Sequence, residues 1–255
     1  MTSSSPRLSV VMCVHNEEER LAACLEHLRF ADELIVVCDK CTDRSEEIAR
    51  SFGAKVVVGS WHIEGERRNR AQAEATGDWI LEVDADEHVS EELAIAIREV
   101  IANPAFDRYP VAIDNYIGKR LVRYGWGASF GTSAVCRLLR PGTKIWGMQR
   151  VHPSITWSGK EGPILAGSIR HYLDRNISDM IRRLDSYSTA RAADLRDSGK
   201  IGSFANNLRR LFSRFFKCYV SRKGYREGGL GFLIAVFAGL FPMISYVKAK
   251  YDGDQ

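Results

Sequence analysis

Trp79-Ile80-Leu81-Glu82-Val83-Asp84-Ala85-Asp86 is a short apolar run that breaks into carboxylates. Its length suits one buried strand. The two aspartates stand two residues apart just past its end, so both reach one side of the point where the chain leaves the sheet. Read alone, Asp-x-Asp also serves a turn or the cap of the next helix. Ser90, followed by Glu91 and Glu92 in a first helical turn, supplies such a cap four residues further on.

Upstream, the pattern alternates between strand and helix. Leu8 to Val14 is a continuous apolar run, as in a strand covered on both faces. Glu17 to Phe30 carries Leu21, Cys24, Leu25 and Leu28 at helical spacing. Leu34 to Val37 reads as a second strand, and a helix capped by Asp43 and closed by Gly53 follows. Lys55 to Val58 is a third strand, and a helix through Ala71, Ala73 and Ala75 leads to Gly77. This order predicts an α/β fold, a mostly parallel sheet flanked by helices. Ligands of such sheets bind beyond the carboxyl ends of the strands. Three polar clusters fall at those ends: His15-Asn16-Glu17, Asp39 to Asp43, and Asp84 to Glu87.

The remaining chain divides by composition. Residues 105 to 170 are less periodic and richer in Gly, Trp and Tyr, which points to short strands and loops over the crevice. Asn176 to about Arg196 reads as a helix. Leu208, Leu211, Phe212, Phe215, Phe216 and Tyr219 share one helical stripe. From Lys200 to Arg226 there are eight basic residues and no acidic one, so this stretch should meet an anionic surface such as a membrane. Gly228 to Val247 has no charge and is long enough to cross a bilayer, but its glycines and Pro242 favour an apolar hairpin lying in the interface. The expected organisation is a catalytic domain over 1–175 and a helical, membrane-associating extension over 176–255.

The whole-chain numbers narrow the function. A net charge of +4 gives no reason to invoke nucleic acid. The six cysteines are irregularly spaced in a long chain and do not form a disulfide framework. Cys38 and Cys41 make a C-x-x-C, but no second Cys/His pair stands at zinc spacing. The opening Met1 to Pro6 lacks the charged and apolar regions of a secretory signal, so a cytoplasmic site of action is expected.

Taken in order, the segments Leu8–Glu18, Glu33–Ser45, Arg68-Asn69 and Ala75–Glu87 resemble the family-2 inverting glycosyltransferases of GT-A (Rossmann-like) fold. Within them, the lipopolysaccharide-core β-glucosyltransferase-like branch is the more similar. The pairs Gly125-Trp126, Arg137-Leu138, Val151-His152 and His171-Tyr172, and the segment Lys223–Gly229, carry that likeness. The resemblance implies a nucleotide-diphospho-sugar donor, with a UDP-hexose expected, and Mg²⁺ or Mn²⁺. The basic apolar tail points to an acceptor at the membrane, a glycan or glycolipid at the inner face of the cytoplasmic membrane. The resemblance implies that Asp86 binds the metal and that Asp84 contacts the donor ribose or shares the metal. It also places Asn16 and Glu17 in the nucleotide pocket and Arg68 near the diphosphate. Glu66-Arg67-Arg68-Asn69-Arg70 reads as well as a solvated helix face.

Two positions depart from the family pattern. Cys38 stands where an aspartate usually recognises the base, leaving Asp39 or Asp43 to take over, and Pro153 stands where a glutamate usually follows the Val-His pair. The base that deprotonates the acceptor is therefore open among His152, Asp114 and Glu161. Two other classes compete with an enzyme of sugar transfer. A nucleotidyltransferase would need a glycine-rich basic loop after the first strand, where this chain has His15-Asn16-Glu17-Glu18-Glu19. A non-catalytic membrane adaptor draws support only from Cys38 and Pro153.

Overall fold

A computed structural model describes residues 5–126, 133–148 and 153–252 of the chain. They form two compact units, one of residues 1–113 with 134–171, the other of residues 114–133 with 172–255.

The first unit opens with β1 (Leu8–Val14), α1 (Leu21–Glu26), β2 (Glu33–Asp39), α2 (Ser45–Ser51), β3 (Lys55–Gly59), α3 (Glu64–Ala73) and β4 (Trp79–Glu82). β5 (Glu87–Val89) and α4 (Glu91–Ala102) follow, then β6 (Arg108–Ile117), β7 (Arg120–Val122), β8 (Ala134–Leu139), β9 (Lys144–Trp146), β10 (Ile155–Trp157) and β11 (Ser168–Asp174), of which β7 and the last residues of β6 and β11 fall in the second unit. The main sheet runs β3-β2-β1-β4-β8-β6-β11-β5, with β7 paired to β6, and β9 and β10 form a separate hairpin. β3, β2, β1 and β4 are parallel, as their apolar runs and intervening helices require. The α/β arrangement expected of a GT-A fold is present. The sheet as a whole is mixed, because the less periodic residues 105–170 contribute strands that add antiparallel to β4 and onward.

Local signals act where the sequence placed them. Gly53 takes φ +76° and ends α2. Ser90 caps α4 by accepting from Leu93 N–H at 3.2 Å, and its hydroxyl oxygen also accepts from Ser168 N–H at 3.1 Å. Asp43 works differently from the expected cap. Its two oxygens accept from Ser45 and Glu18 N–H groups at 3.0 and 2.9 Å, tying the loop after β1 to the start of α2. The core lies between the sheet and its helices, with Leu8, Val10, Met12, Leu25, Val36, Trp79, Leu81, Leu93 and Ile97 almost wholly buried.

One contact fixes α3 against the β9 hairpin. A Cβ on Gly65 would stand 1.8 Å from the Gly147 carbonyl oxygen, closer than any side chain allows. Gly65→Ala is expected to cost about 1–3 kcal/mol, as for other overpacked contacts, seen as a lower urea midpoint. An unchanged midpoint would show that the helix and hairpin part freely.

The second unit is helical: α5 (Ile177–Asp197), α6 (Phe204–Phe216), a π-turn over Lys217–Ser221, a 3-10 turn over Gly224–Glu227, and α7 (Gly228–Tyr251). Asn176 and Ser203 cap α5 and α6 with their side-chain oxygens. The expected apolar hairpin is not formed. α7 is one continuous helix through Gly239 and Pro242. Gly239 serves close packing rather than a turn, since a Cβ there would lie 2.7 Å from the Leu211 carbonyl oxygen of α6. Gly224–Tyr251 is long and apolar enough to cross a membrane, yet 56% of its most apolar window is buried within the fold. Ile234, Ala235, Ala238 and Phe241 join Met180, Leu184 and Cys218 in this unit's core.

Candidate functional site

The parallel strands end level with one another. Val14 of β1 pairs with Cys38 of β2, and Asp39 of β2 pairs with Gly59 of β3. β4 pairs along β1 as far as Val11 and Glu82, so Asp84 emerges beside the same strand ends. The loops there are knitted together. Asn16, in left-handed backbone, accepts from Thr42 N–H at 2.8 Å, and Glu17 N–H donates to the Ser45 hydroxyl at 2.8 Å. A His15 ring nitrogen lies 2.7 Å from the Asp39 carbonyl oxygen. The buried Asp39 carboxylate accepts from Trp61 N–H at 2.9 Å and from Arg67 at 3.1 Å. Asn16, Glu17, Asp39 and Asp43 are thus gathered at one edge. Asp39 and Asp43 organise these loops, with both carboxylate oxygens of each already engaged.

The acidic run holds the centre. Asp84 Oδ1 meets Arg68 at 3.3 Å and Oδ2 meets Arg137 at 3.0 Å. Arg137, from β8, also reaches Glu87 at 2.5 Å, and Glu87 accepts the Asp84 N–H at 2.9 Å. Burial alone would raise the Asp84 carboxyl, but the Arg68 and Arg137 guanidiniums override it and hold the group well below the usual range. Glu87 is pushed the other way, to about 7, because burial and neighbouring Asp84 outweigh Arg137. The Nε of Arg137 is buried and finds no acceptor.

Asp86 faces differently. The antiparallel pairing of Glu87 with His171 carries β11 to the acidic run. His171 Nε2 then stands 3.4 Å from Asp86 Oδ2, with Arg20 at 3.7 Å from the same oxygen. Both side chains stay partly open, 19% exposed for His171 and 25% for Asp86. Burial would lower the His171 imidazole, but its hydrogen bond to Asp86 and the surrounding carboxylates raise it. Two groups of this type aimed at one point can share a proton or a divalent cation. Among the described residues no cluster of three or more His, Cys, Asp or Glu forms a metal cage. Mg²⁺ and Mn²⁺ take few protein ligands and fill the rest of their shell with phosphate oxygens and water, and a pair such as Asp86 and His171 offers one carboxylate and one imidazole to such an ion.

Beneath the acidic run lies a buried polar network. Glu82 pairs with Lys144 and accepts from Gln72 at 2.9 Å and from the Trp146 indole at 3.0 Å. Asn69 exchanges two hydrogen bonds with the Trp146 backbone, at 2.8 and 2.9 Å. Arg68 lies over the Trp146 ring at 4.9 Å and also pairs with Glu64 at 2.9 Å. Arg68 is therefore clamped between ring and carboxylates rather than lying on a solvated helix face.

The three base candidates fare differently. Glu161 bridges to Arg108 and pairs with it at 3.2 Å. Arg108 sits opposite Leu139, which sits opposite Ile80, four residues before Asp84. That is about 13 Å back along the strand at ~3.3 Å per residue, so Glu161 is not gathered with the acidic run. Asp114 lies on β6 in the second unit, half-buried. His152 lies outside the described residues. Sequence reading assigned no role to Arg20, Glu87, Arg137 or His171. The last two stood within the quoted motif pairs, but only the antiparallel pairing shows what they touch.

A family model described as glycosyl transferase family 2 matches residues 9–132, which include the strand ends and the whole acidic run. Residues 9–132 are thus similar to glycosyl transferase family 2. This likeness, with that to glycosyltransferases along the rest of the chain, supports an enzyme of sugar transfer over the adaptor and nucleotidyltransferase readings. It is similar along nearly its whole length to an uncharacterized glycosyltransferase of Rickettsia typhi, at 28% identity over 96% of this chain and 87% of that protein. The lipopolysaccharide core biosynthesis glycosyltransferase LpsC of Rhizobium meliloti is 23% identical over 97% of this chain and 93% of its own length. Among solved structures, glucosyl-3-phosphoglycerate synthase from Mycobacterium tuberculosis aligns over 43% of each chain at 22% identity with a TM-score of 0.37, too distant to bear on the substrate.

Proposed function

We propose that this enzyme binds a nucleotide-diphospho-sugar, with a UDP-hexose as the expected donor, at the carboxyl ends of β1, β2 and β4, and transfers the sugar with inversion to an acceptor hydroxyl. The observation that carries the reading is the convergence of Asp86 and His171 at 3.4 Å beside the clamped Arg68 and Arg137. Asp86 and His171 would hold Mg²⁺ or Mn²⁺, which when bound offsets the charge that develops on a leaving diphosphate. Asp84, with both oxygens on guanidiniums, keeps Arg68 and Arg137 in register rather than supplying an open ligand. Asn16 and Glu17 line the nucleotide side. The base role rests between Asp114 and His152.

The acceptor in this reading is a lipid-linked or lipopolysaccharide-core saccharide at the inner face of the cytoplasmic membrane. Two observations support it: the name of the Rhizobium meliloti relative, and the basic, acid-free stretch of the second unit. Purified protein mixed with a panel of nucleotide-diphospho-sugars and Mn²⁺ should show a donor-specific rise in melting temperature and slow donor hydrolysis. Neither response with any donor would sink the proposal. Arg68→Met should raise the donor KM by about tenfold or more, the loss of one charge-assisted contact of ~1.5–3 kcal/mol, with the melting temperature read alongside.

A further inference from the structure

α6 carries one broad apolar face, and the fold covers only part of it. Phe215, with Cys218 just past the helix, joins the core that α7 fills and packs edge-on to Phe232 at 5.5 Å, and the Phe204 ring reaches Tyr246 at 6.5 Å. The outer edge of that face is a ridge of Phe204, Leu208, Phe212, Phe216 and, one step beyond the helix, Val220, turning slowly round the axis. Each recurs four residues after the last, and each is 38 to 58% exposed. Large apolar side chains in so regular a row are uncommon on a soluble surface. Arg209 and Lys217, both exposed, lie about 100° further round the helix from Leu208 and Phe216. Lys223 and Arg226 continue the basic rim beyond the helix, and no Asp or Glu interrupts residues 200–226.

We infer that this ridge seats the enzyme on an anionic lipid bilayer, with α6 lying in the plane of the interface. The occupant is chosen by charge complementarity, because a row of apolar groups rimmed only by cations matches acyl chains below anionic headgroups. α7, whose apolar side chains fill the core of the second unit, is left as the scaffold for α6 and does not cross the bilayer. The inference deepens the membrane-acceptor reading and rests on it for its purpose, but its test reads binding and needs no sugar transfer.

The full chain is mixed with vesicles of phosphatidylcholine alone or with phosphatidylglycerol added, and sedimented. The expected result is binding to the anionic vesicles, weakened by added salt. The Phe212→Gln/Phe216→Gln variant should bind about tenfold or more weakly, given the apolar area it withdraws. Both side chains are exposed, so the variant should keep its melting temperature and its donor hydrolysis. Ile95→Gln, on the exposed face of α4, is the control and should bind as the parent does. Equal binding to both vesicle types, or full binding by the double variant, would overturn the inference. So would a dimer that the double variant breaks while the parent ignores vesicles, since the ridge would then be covered by a second copy of the chain. Loss of donor hydrolysis in the parent with vesicle binding intact would count against the donor reading alone.

Discussion

Asp86→Ala should lower the rate of sugar transfer by on the order of a thousandfold while leaving the melting temperature close to that of the parent. The rate effect follows from the several kcal/mol that a bound cation contributes to a developing anion, at 1.36 kcal/mol per tenfold. The stability effect is small because Asp86 makes only long contacts, 3.4 Å to His171 and 3.7 Å to Arg20, at partly exposed positions. His171→Ala should behave as its partner. It should raise the Mn²⁺ concentration needed for half-maximal rate by at least about tenfold, since even groups behind the ligands shift metal affinity by ~10–100-fold. Asp86→Ala at the parental rate, or an unchanged Mn²⁺ requirement in both variants, would move the cation elsewhere. Asp84→Asn separates the roles. It should disturb Arg68 and Arg137 and so raise the donor KM, with the Mn²⁺ requirement little changed.

Arg137→Met should be the most destabilising single change near the site, at about 3–5 kcal/mol. The reason is what it leaves behind. Glu87 is 1% exposed and Asp84 lies beside it, and Arg137 serves both carboxylates from one guanidinium. Without it, two carboxyl groups share a buried space and at least one must take up a proton. Denaturant unfolding with two-state analysis reads the loss directly. Arg137→Lys should recover only part of it, because the shorter side chain stops short of the Nη2 position that now contacts both carboxylates. The Arg137→Met/Glu87→Gln pair should be more stable than Arg137→Met alone. If the double variant is no better, the ion pair is not what holds β8 to the acidic run.

The sequence made one half of the first unit readable and concealed the other, for physical reasons. β1, β2 and β4 are covered on both faces and the edge strand β3 keeps a short Val run, so all four appear as apolar runs, and glycines such as Gly53 and Gly77 punctuate them. Their parallel order then places the strand ends together without any further information. β5, β8 and β11 are short or irregular, and their partners depend on antiparallel register, which composition does not encode. Arg137 meets Glu87 across fifty residues of chain, and His171 arrives only because its strand pairs with β5. α7 failed as a hairpin for a related reason. Glycine marks a turn or a close approach, and the Leu211 carbonyl facing Gly239 decides which.

The partners of Asp84, Asp86 and Glu87 named above come from four places in the chain: Arg20 before α1, Arg68 on α3, Arg137 on β8 and His171 on β11. The order of synthesis therefore matters. A growing chain releases Glu87 fifty residues ahead of Arg137, and chains lengthen by about 5–20 residues per second. For some seconds the parallel half has its strands but cannot bury Glu87 as an anion. It must wait protonated or solvated, and the non-local pairing that relieves it is slow to form. A nascent chain halted before residue 137 should thus hold its acidic run open to water, and resist proteolysis only after β8 has emerged.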